Sequence, residues 1–166
     1  EGYFDIRHNA KYDPSGLVKG WAIYHAAKLL EKNGYKNYCI DAGGDIQVSG
    51  KNSEGNPWRV GIRNPLNSSE VIKVISVNDK GVATSGTSQR GNHIYNPHRN
   101  NTSIDDIVSV TVIGENIYEA DRFATAAFAM GRNGIYFLEA QRGLEGYMID
   151  KQGVATYTNG FSKYCI

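Results

Sequence analysis

Asp121 and Thr125 are the residues whose types and spacing point most directly to chemistry. They lie four positions apart in Ile117 to Met130, where the apolar periodicity predicts a helix, so their side chains share one helix face. A carboxylate and a hydroxyl placed in this way offer two hard oxygen ligands of the kind that Mg²⁺ prefers. The same spacing fits an acidic first-turn residue that interacts with the helix dipole, and a threonine that bonds back to its own helix. Both interpretations stay open on spacing alone.

Two short segments carry glycines and hydroxyls that could contact a ligand. Gly43 and Gly44 precede Asp45 and interrupt an apolar strand. Such a pair lets the backbone approach a bulky ligand or leaves amides for anionic oxygens, and a β-bulge at a sheet edge explains it equally well. The run Val82 to Gly86 (VATSG) is predicted to end in a turn. Its small polar side chains suit a ring edge or a phosphate, and they suit a plain turn equally well.

Lys19 and His93 carry ionisable groups in predicted surface positions. Lys19 lies near the start of a helix predicted over Gly16 to Lys32, where a cation beside free backbone amides suits a pyrophosphate. His93 lies in the long polar segment Asn78 to Asp106, and a histidine in such a loop can act as a general base or a ligand. In isolation, each is also an ordinary solvent-facing residue.

The elements that must position these side chains follow from the apolar pattern, with Ser15 as the predicted N-cap of the first helix and Cys39 as a predicted core residue. Helices are predicted at Gly16–Lys32, Ile117–Met130 and Asn133–Gln141, and strands at Tyr38–Ala42, Asp45–Ser49, Trp58–Arg63, Val71–Val77, Val108–Ile113, Glu145–Lys151 and Val154–Thr158. This order predicts a single α+β domain over residues 1–166, with a mostly antiparallel sheet and helices on one face.

Composition excludes several classes of protein. The 166 residues carry 18 Lys and Arg against 17 Asp and Glu, so no strong field exists to hold nucleic acid or an anionic membrane, and no nucleic-acid partner is expected. The two cysteines have neither the number nor the spacing of a disulfide framework or a zinc site. No Walker loop, GxGxxG after a strand, GxSxG or HExxH occurs, which leaves common nucleotidases, dehydrogenases, hydrolases and zincins unsupported.

Six ordered blocks resemble the ApbE family of FAD:protein FMN transferases, and the likeness runs from about Asp13 to Phe161. The blocks are DPSGLVKGWAI (13–23), DAGGDIQVSG (41–50), PWRVGIRNP (57–65), VATSG (82–86), HIYNP (93–97) and SVTVIGENIYEADRFATAAFAMG (109–131). The resemblance implies a T-fold-like arrangement and a Mg²⁺-dependent enzyme that cleaves FAD, releases AMP and attaches FMN to a Thr or Ser hydroxyl of an acceptor protein. Some family members act instead as FAD pyrophosphatases.

The resemblance also assigns roles to individual residues. It implies a metal site on Asp121 and Thr125, with the backbone carbonyl of Gly16 as a third ligand, and a catalytic role for His93, which would take the proton from the attacking hydroxyl. It implies contacts with FAD at six positions, which are Lys19, Gly44, Asp45, Thr84, Ser85 and Ile94.

Two departures from the family pattern bear on activity. Asn96 stands where the family usually has Asp, and Arg99 to Asn101 stand where it has Thr-Gly. Family members also carry an N-terminal part that helps to enclose the flavin, and the chain is expected to lack it. The alternatives are therefore an FAD-binding module or degenerate homologue without turnover, and a structural domain without a ligand. A homodimer and a location in either the cytoplasm or the cell envelope are compatible with the sequence.

Overall fold

The structure, a computed structural model, describes residues 2–8, 11–87, 94–99 and 102–166. The described residues form the strands β1 (Arg7–His8), β2 (Lys11–Tyr12), β3 (Tyr38–Ala42), β4 (Asp45–Ser49), β5 (Trp58–Asn64), β6 (Asn67–Val77), β7 (Gly81–Gly86), β8 (Tyr95–Asn96), β9 (Thr102–Ser103), β10 (Ile107–Gly114), β11 (Glu145–Asp150) and β12 (Ala155–Tyr157). The helices are α1 (Val18–Lys32), α2 (Ile117–Ala129) and α3 (Gly134–Glu139), with short 3₁₀ turns at Gly131–Asn133 and Phe161–Tyr164. No helix of the described residues has the length and apolar character that a bilayer crossing requires.

Six strands form the central sheet in the order β12-β11-β10-β7-β4-β3, and every neighbouring pair is antiparallel. Helix α2 packs across β7 and β10, α1 packs on β3 and β4, and α3 packs on β11. Ala83, Val110, Val112 and Met148 point from the sheet into the same apolar core as Ala124 of α2. The α+β fold with a mostly antiparallel sheet and helices on one face is therefore confirmed.

The opposite face of the sheet is partly covered by the β5–β6 hairpin. Val60 and Ile75 of the hairpin share a second apolar core with Val82 and Ile113 of the sheet. The Nε1 atom of Trp58 donates a hydrogen bond of 3.0 Å to the carbonyl oxygen of Ser49, which ties the hairpin to the end of β4. The helices and the hairpin thus hold the sheet between two apolar layers.

Strand β7 corrects the prediction of a turn at residues 82–86. It lies in the middle of the sheet, paired with β10 on one side and β4 on the other. Its first residue is glycine because α2 begins directly above it: a Cβ added to Gly81 would lie 2.1 Å from the backbone nitrogen of Ile117. The lack of large β-branched side chains, which usually identify a central strand, concealed this strand.

The Gly43-Gly44 pair forms the two-residue turn of the β3–β4 hairpin, and the β-bulge interpretation was wrong. Both residues have positive φ, 68° and 95°, which an L side chain rarely adopts and which the tight turn requires. A Cβ at either position would meet no heavy atom within 4 Å, so conformation and not close packing requires glycine here.

Two smaller predictions were also wrong. The N-cap of α1 is Leu17, which makes no side-chain capping hydrogen bond, and the backbone nitrogen of Ser15 instead donates to Oδ1 of Asp13. Cys39 is exposed, because it lies on β3 at the edge of the sheet and its side chain alternates away from the core. Neither change moves a residue of the predicted site.

We expect Gly81→Ala to lower the free energy of unfolding by roughly 2–4 kcal/mol, because the added methyl meets the backbone of Ile117, which cannot move without shifting α2. Urea unfolding monitored by circular dichroism measures this change. Gly43→Ala is the control, since only the left-handed backbone is strained there, at about 1 kcal/mol. Equal losses in the two variants would contradict the packing argument.

Candidate functional site

One cavity of about 1140 Å³ collects the predicted site residues that the structure describes. It opens where β4 leaves β7, since the two strands pair only at Ile46 with Val82 and Gln47 with Gly81. Beyond these pairs, the described residues place no strand beside that edge of β7. The walls come from the N-terminal segment, the start of α1, the Gly43-Gly44 turn, the β5–β6 hairpin and parts of β7, β10 and α2.

The three predicted metal ligands meet where the start of α1 approaches α2. The Oγ1 atom of Thr125 donates to the carbonyl oxygen of Gly16 at 3.2 Å, and Oδ2 of Asp121 accepts a hydrogen bond of 2.8 Å from the backbone nitrogen of Gly20. Asp121 and Thr125 are both buried and line the cavity. A carboxylate, a hydroxyl and a carbonyl thus lie together, although their residues are far apart in the sequence.

This set of oxygens fits a small hard cation. In an octahedron with metal–oxygen bonds of about 2.1 Å, neighbouring ligands lie about 3 Å apart. The 3.2 Å between Thr125 Oγ1 and Gly16 O is close to that spacing. The described residues hold no group of three or more His, Cys, Asp and Glu side chains that could bind a metal, so any cation at Asp121 would take most of its ligands from neutral oxygens and from a bound substrate.

Glycines at positions 16 and 20 make this approach of α1 to α2 possible. A Cβ at Gly20 would lie 2.7 Å from Cβ of Asp121, and a Cβ at Gly16 would lie 2.9 Å from Cγ2 of Thr125. Either methyl group would push the two elements apart. The two glycines therefore let the backbone at positions 16 and 20 come directly against Thr125 and Asp121.

Lys19 and Asp45 form an ion pair beside the predicted metal ligands. Nζ of Lys19 lies 2.8 Å from Oδ2 of Asp45, whose side chain is 3% exposed while that of Lys19 is 35% exposed. The backbone nitrogen of Thr84 reaches the other carboxylate oxygen at 3.4 Å. Burial raises the pKa of Asp45 above its ordinary value, although the hydrogen bond and charge of Lys19 act in the opposite direction. The pair places a partly solvated cation at the cavity wall.

The other predicted FAD contacts lie on the walls of the same cavity. Ser85 Oγ is 3.4 Å from Thr125 Oγ1, so this hydroxyl adjoins the predicted metal ligands. Thr84, the preceding residue, projects from the opposite face of the sheet, where its Oγ1 lies 2.8 Å from Oγ1 of Thr111. Gly44 and the buried Ile94 complete the set. His93, the predicted catalytic residue, lies outside the described residues.

Asn96, the departure from the family motif, lies next to the cavity and is not among the described residues that line it. It is buried in β8, and its Oδ1 accepts a hydrogen bond of 2.9 Å from the backbone nitrogen of His98. A carboxylate oxygen of an aspartate could accept the same bond. The substitution therefore preserves the local turn.

Sequence reasoning missed the polar residues of β10 that line the cavity. Ser109 and Thr111 alternate with Val110 and Val112, so the two pairs project from opposite faces of the strand. Two hydroxyls on one face of a buried central strand were the signal available in the sequence. The backbone contacts of Gly16 and Gly20 had no comparable signal, because they join positions about a hundred residues apart.

The family model described as the ApbE family matches residues 5–148 of the chain. The chain belongs to this family. The FAD:protein FMN transferase of Escherichia coli K12 is 33% identical to it over 150 residues, which are 85% of the chain and 43% of that protein. The corresponding protein of Vibrio cholerae is 34% identical over 128 residues, which are 72% of the chain and 38% of that protein.

Solved ApbE structures share the fold. The ApbE protein of Thermotoga maritima superposes with a TM-score of 0.84 at 26% identity, covering 94% of the chain and 54% of that structure. The flavin transferase ApbE of Vibrio cholerae gives a TM-score of 0.82 at 30% identity, covering 93% and 53%. The chain thus spans about half the length of the relatives that it matches.

We expect the stability of the wild type relative to Asp45→Asn to fall as the pH rises from about 4 towards 7. Burial raises the pKa of Asp45 in the folded state. The stability that the protonated carboxyl contributes is therefore lost as the pH rises through that pKa and the group ionises. Urea unfolding at several pH values measures the difference. Asp105→Asn is the control, because that side chain is 87% exposed. A difference that does not change with pH, or that grows in the opposite direction, would contradict the burial argument.

Proposed function

We propose that the chain carries the FAD-cleaving site of a flavin transferase, which moves FMN from FAD to a Thr or Ser hydroxyl of an acceptor protein and releases AMP. The observation that carries this proposal is the meeting of Gly16, Asp121 and Thr125 beside the Lys19–Asp45 pair in one cavity. Relatives that match most of the chain bear the name FAD:protein FMN transferase, which supports the same activity.

The cavity is large enough for a dinucleotide. Its volume of about 1140 Å³ exceeds the roughly 300–1,000 Å³ that is usual for drug-sized ligands. Lys19 offers the diphosphate a cation that is a third exposed, and Asp45 holds that cation in place at 2.8 Å. Because Asp45 is buried and fixed by Lys19 and the Thr84 amide, the ammonium group is oriented before any substrate arrives.

Gly16, Asp121 and Thr125 are the residues that would hold Mg²⁺. The ion, when bound, neutralises charge on the diphosphate oxygens and on the departing AMP. The chain's own part is to keep these oxygens fixed, which the Gly20 hydrogen bond does for the Asp121 carboxylate. Preorganised ligands need no rearrangement as the reaction proceeds.

The transfer itself exchanges the phosphoanhydride bond of FAD for a phosphoester bond to the acceptor. The acceptor hydroxyl oxygen forms a bond to the phosphorus of the FMN half, the bond from that phosphorus to the bridging oxygen breaks, and AMP leaves. We assign removal of the hydroxyl proton to His93 on the strength of the family motif alone. If water replaced the hydroxyl, the same steps would release free FMN, as in an FAD pyrophosphatase.

We expect Asp121→Asn to slow Mg²⁺-dependent AMP release from FAD by roughly 100-fold, because the amide keeps the acceptor atom for Gly20 but removes the charge that holds the cation. Chromatography of AMP and FMN after incubation with FAD and Mg²⁺ measures the rate. Glu119→Gln is the matched control, since this acidic residue lies on the same helix, pairs with Arg122 and does not line the cavity.

Three results would contradict the proposal: AMP release by Asp121→Asn at the wild-type rate, release that survives removal of divalent cations by a chelator, or FAD binding by the wild type without any cleavage. The last result would favour the FAD-binding module. Free FMN, with none attached to an acceptor protein, would favour the pyrophosphatase. Wild-type activity in Glu119→Gln is required before the loss in Asp121→Asn can be assigned to the metal site.

A further inference from the structure

Helix α1 carries a second, largely apolar stripe on the side that faces away from the core. Its inward face is buried at Gly20, Ile23 and Ala27. The opposite face presents four exposed residues, which we call the outer stripe: Val18, Ala22, His25 and Leu29. None of the four is among the described residues that line the cavity, so the outer stripe is separate from the candidate site.

The spacing of the outer stripe is that of a coiled-coil seam. Its members are separated by four, three and four positions, so they follow one helix face for about three turns. Val18 is 49% exposed and Leu29 is 61% exposed. Trp21, which is 50% exposed, widens the apolar surface, and its ring centroid lies 4.4 Å from that of His25. A helix that is apolar on two opposite faces is normally buried on both.

Helix α1 is also the outermost helix of the layer that covers the sheet. It packs on β3 and β4 and contacts α2 on one side, whereas α2 and α3 lie over strands further along the sheet. Strand β3, below it, is the last strand of the sheet in the described part of the chain. Open sheet edges are commonly covered by another element or another chain. The outer stripe therefore lies where a further helix could extend the layer.

The order of residues in the outer stripe makes it complementary to itself. When two copies of α1 cross antiparallel about a two-fold axis, Val18 of one copy lies level with Leu29 of the other, and Ala22 lies level with His25. Each contact then occurs twice, as a closed two-fold interface requires. The small Ala22 near the centre allows the helix axes to approach to the usual 8–10 Å or so.

The charges at the two ends of α1 favour the antiparallel arrangement. Lys32 lies in the last turn and Lys36 follows the helix, whereas Asp13 precedes the first turn. A parallel pair would bring the two lysine ends together. An antiparallel pair places each lysine end beside the start of the other helix, where a carboxylate is available and where the helix dipoles oppose each other favourably.

We propose that the outer stripe is the interface of a homodimer, in which the α1 helices of two copies pack antiparallel about a two-fold axis. The partner is a second copy of this chain, because the stripe complements itself in both shape and charge. The dimer does not depend on the proposed flavin chemistry, since the outer stripe contains no residue of the predicted site. Failure of one proposal therefore leaves the other standing.

Sedimentation velocity at several protein concentrations tests the interface with the full chain. We expect the wild type to form dimers, and Val18→Glu or Leu29→Lys alone to raise the dimer dissociation constant by about 100-fold, because each substitution occurs twice in a two-fold interface. Tyr136→Lys is the matched control, since this residue is 73% exposed on α3, outside the outer stripe, and the variant should dimerise like the wild type.

A mixture of Val18→Glu with Leu29→Lys tests the antiparallel register. In a mixed dimer the introduced carboxylate lies level with the introduced ammonium group, and the native Val18 and Leu29 of the other two positions lie level with each other. Mixing should therefore restore dimers that neither variant forms alone. Both substitutions replace exposed side chains, so melting temperatures close to that of the wild type are expected and would assign the loss of dimers to the interface.

Three results would overturn the homodimer proposal. A wild type that stays monomeric at every concentration would leave the outer stripe to a different partner. Dimers that persist in both single variants would place the interface on another surface. A mixture that remains monomeric would rule out the antiparallel pairing of Val18 with Leu29.

Discussion

The close approach of the start of α1 to α2 is the constraint on which both the fold and the site depend. Gly20 lies so near Asp121 that a single methyl group would not fit, and its amide donates to the buried carboxylate at 2.8 Å. A carboxylate can be buried only when donors or cations replace the water that it loses. The contact that closes the helix layer over the sheet therefore also fixes the one carboxylate among the three candidate metal ligands.

The early departure of β4 from β7 also shapes the site. Pairing ends at Val82, and Thr84, Ser85 and Gly86 of β7 then border the cavity. Because side chains alternate along a strand, Thr84 and Ser85 project from opposite faces of β7, and both line the cavity. Ser85 adjoins Thr125 of α2, and Thr84 bonds to Thr111 of β10 on the opposite face. A sheet with complete pairing at this edge would have separated the Lys19–Asp45 pair from the Thr84 and Thr111 hydroxyls.

The sequence predicted the elements with conventional patterns and missed those shaped by close packing. Strand β3, strand β4 and the two long helices were found because their β-branched or periodic apolar residues are typical of such elements. Strand β7 was missed because it begins and ends in glycine, at Gly81 against the start of α2 and at Gly86 against the backbone of β10. In the site, spacing paired Asp121 with Thr125, and family resemblance supplied Gly16. No local pattern shows that Oγ of Ser109 has no hydrogen-bond partner among the described residues, because that property depends on every strand around it.

The charges around the cavity explain why an anionic substrate would need a divalent cation here. The described residues that line the cavity include five carboxylates and three cationic side chains. A diphosphate would therefore enter a cavity whose walls already carry more negative than positive charge. The carboxylates belong to Asp5, Asp13, Asp41, Asp45 and Asp121, and the cations to Lys19, Arg59 and Arg63. Lys19 is engaged by Asp45, so its charge is largely matched before a substrate binds. The two positive charges of a divalent cation at Asp121 would cancel that negative excess where the diphosphate must lie, which is the electrostatic argument for the proposed Mg²⁺.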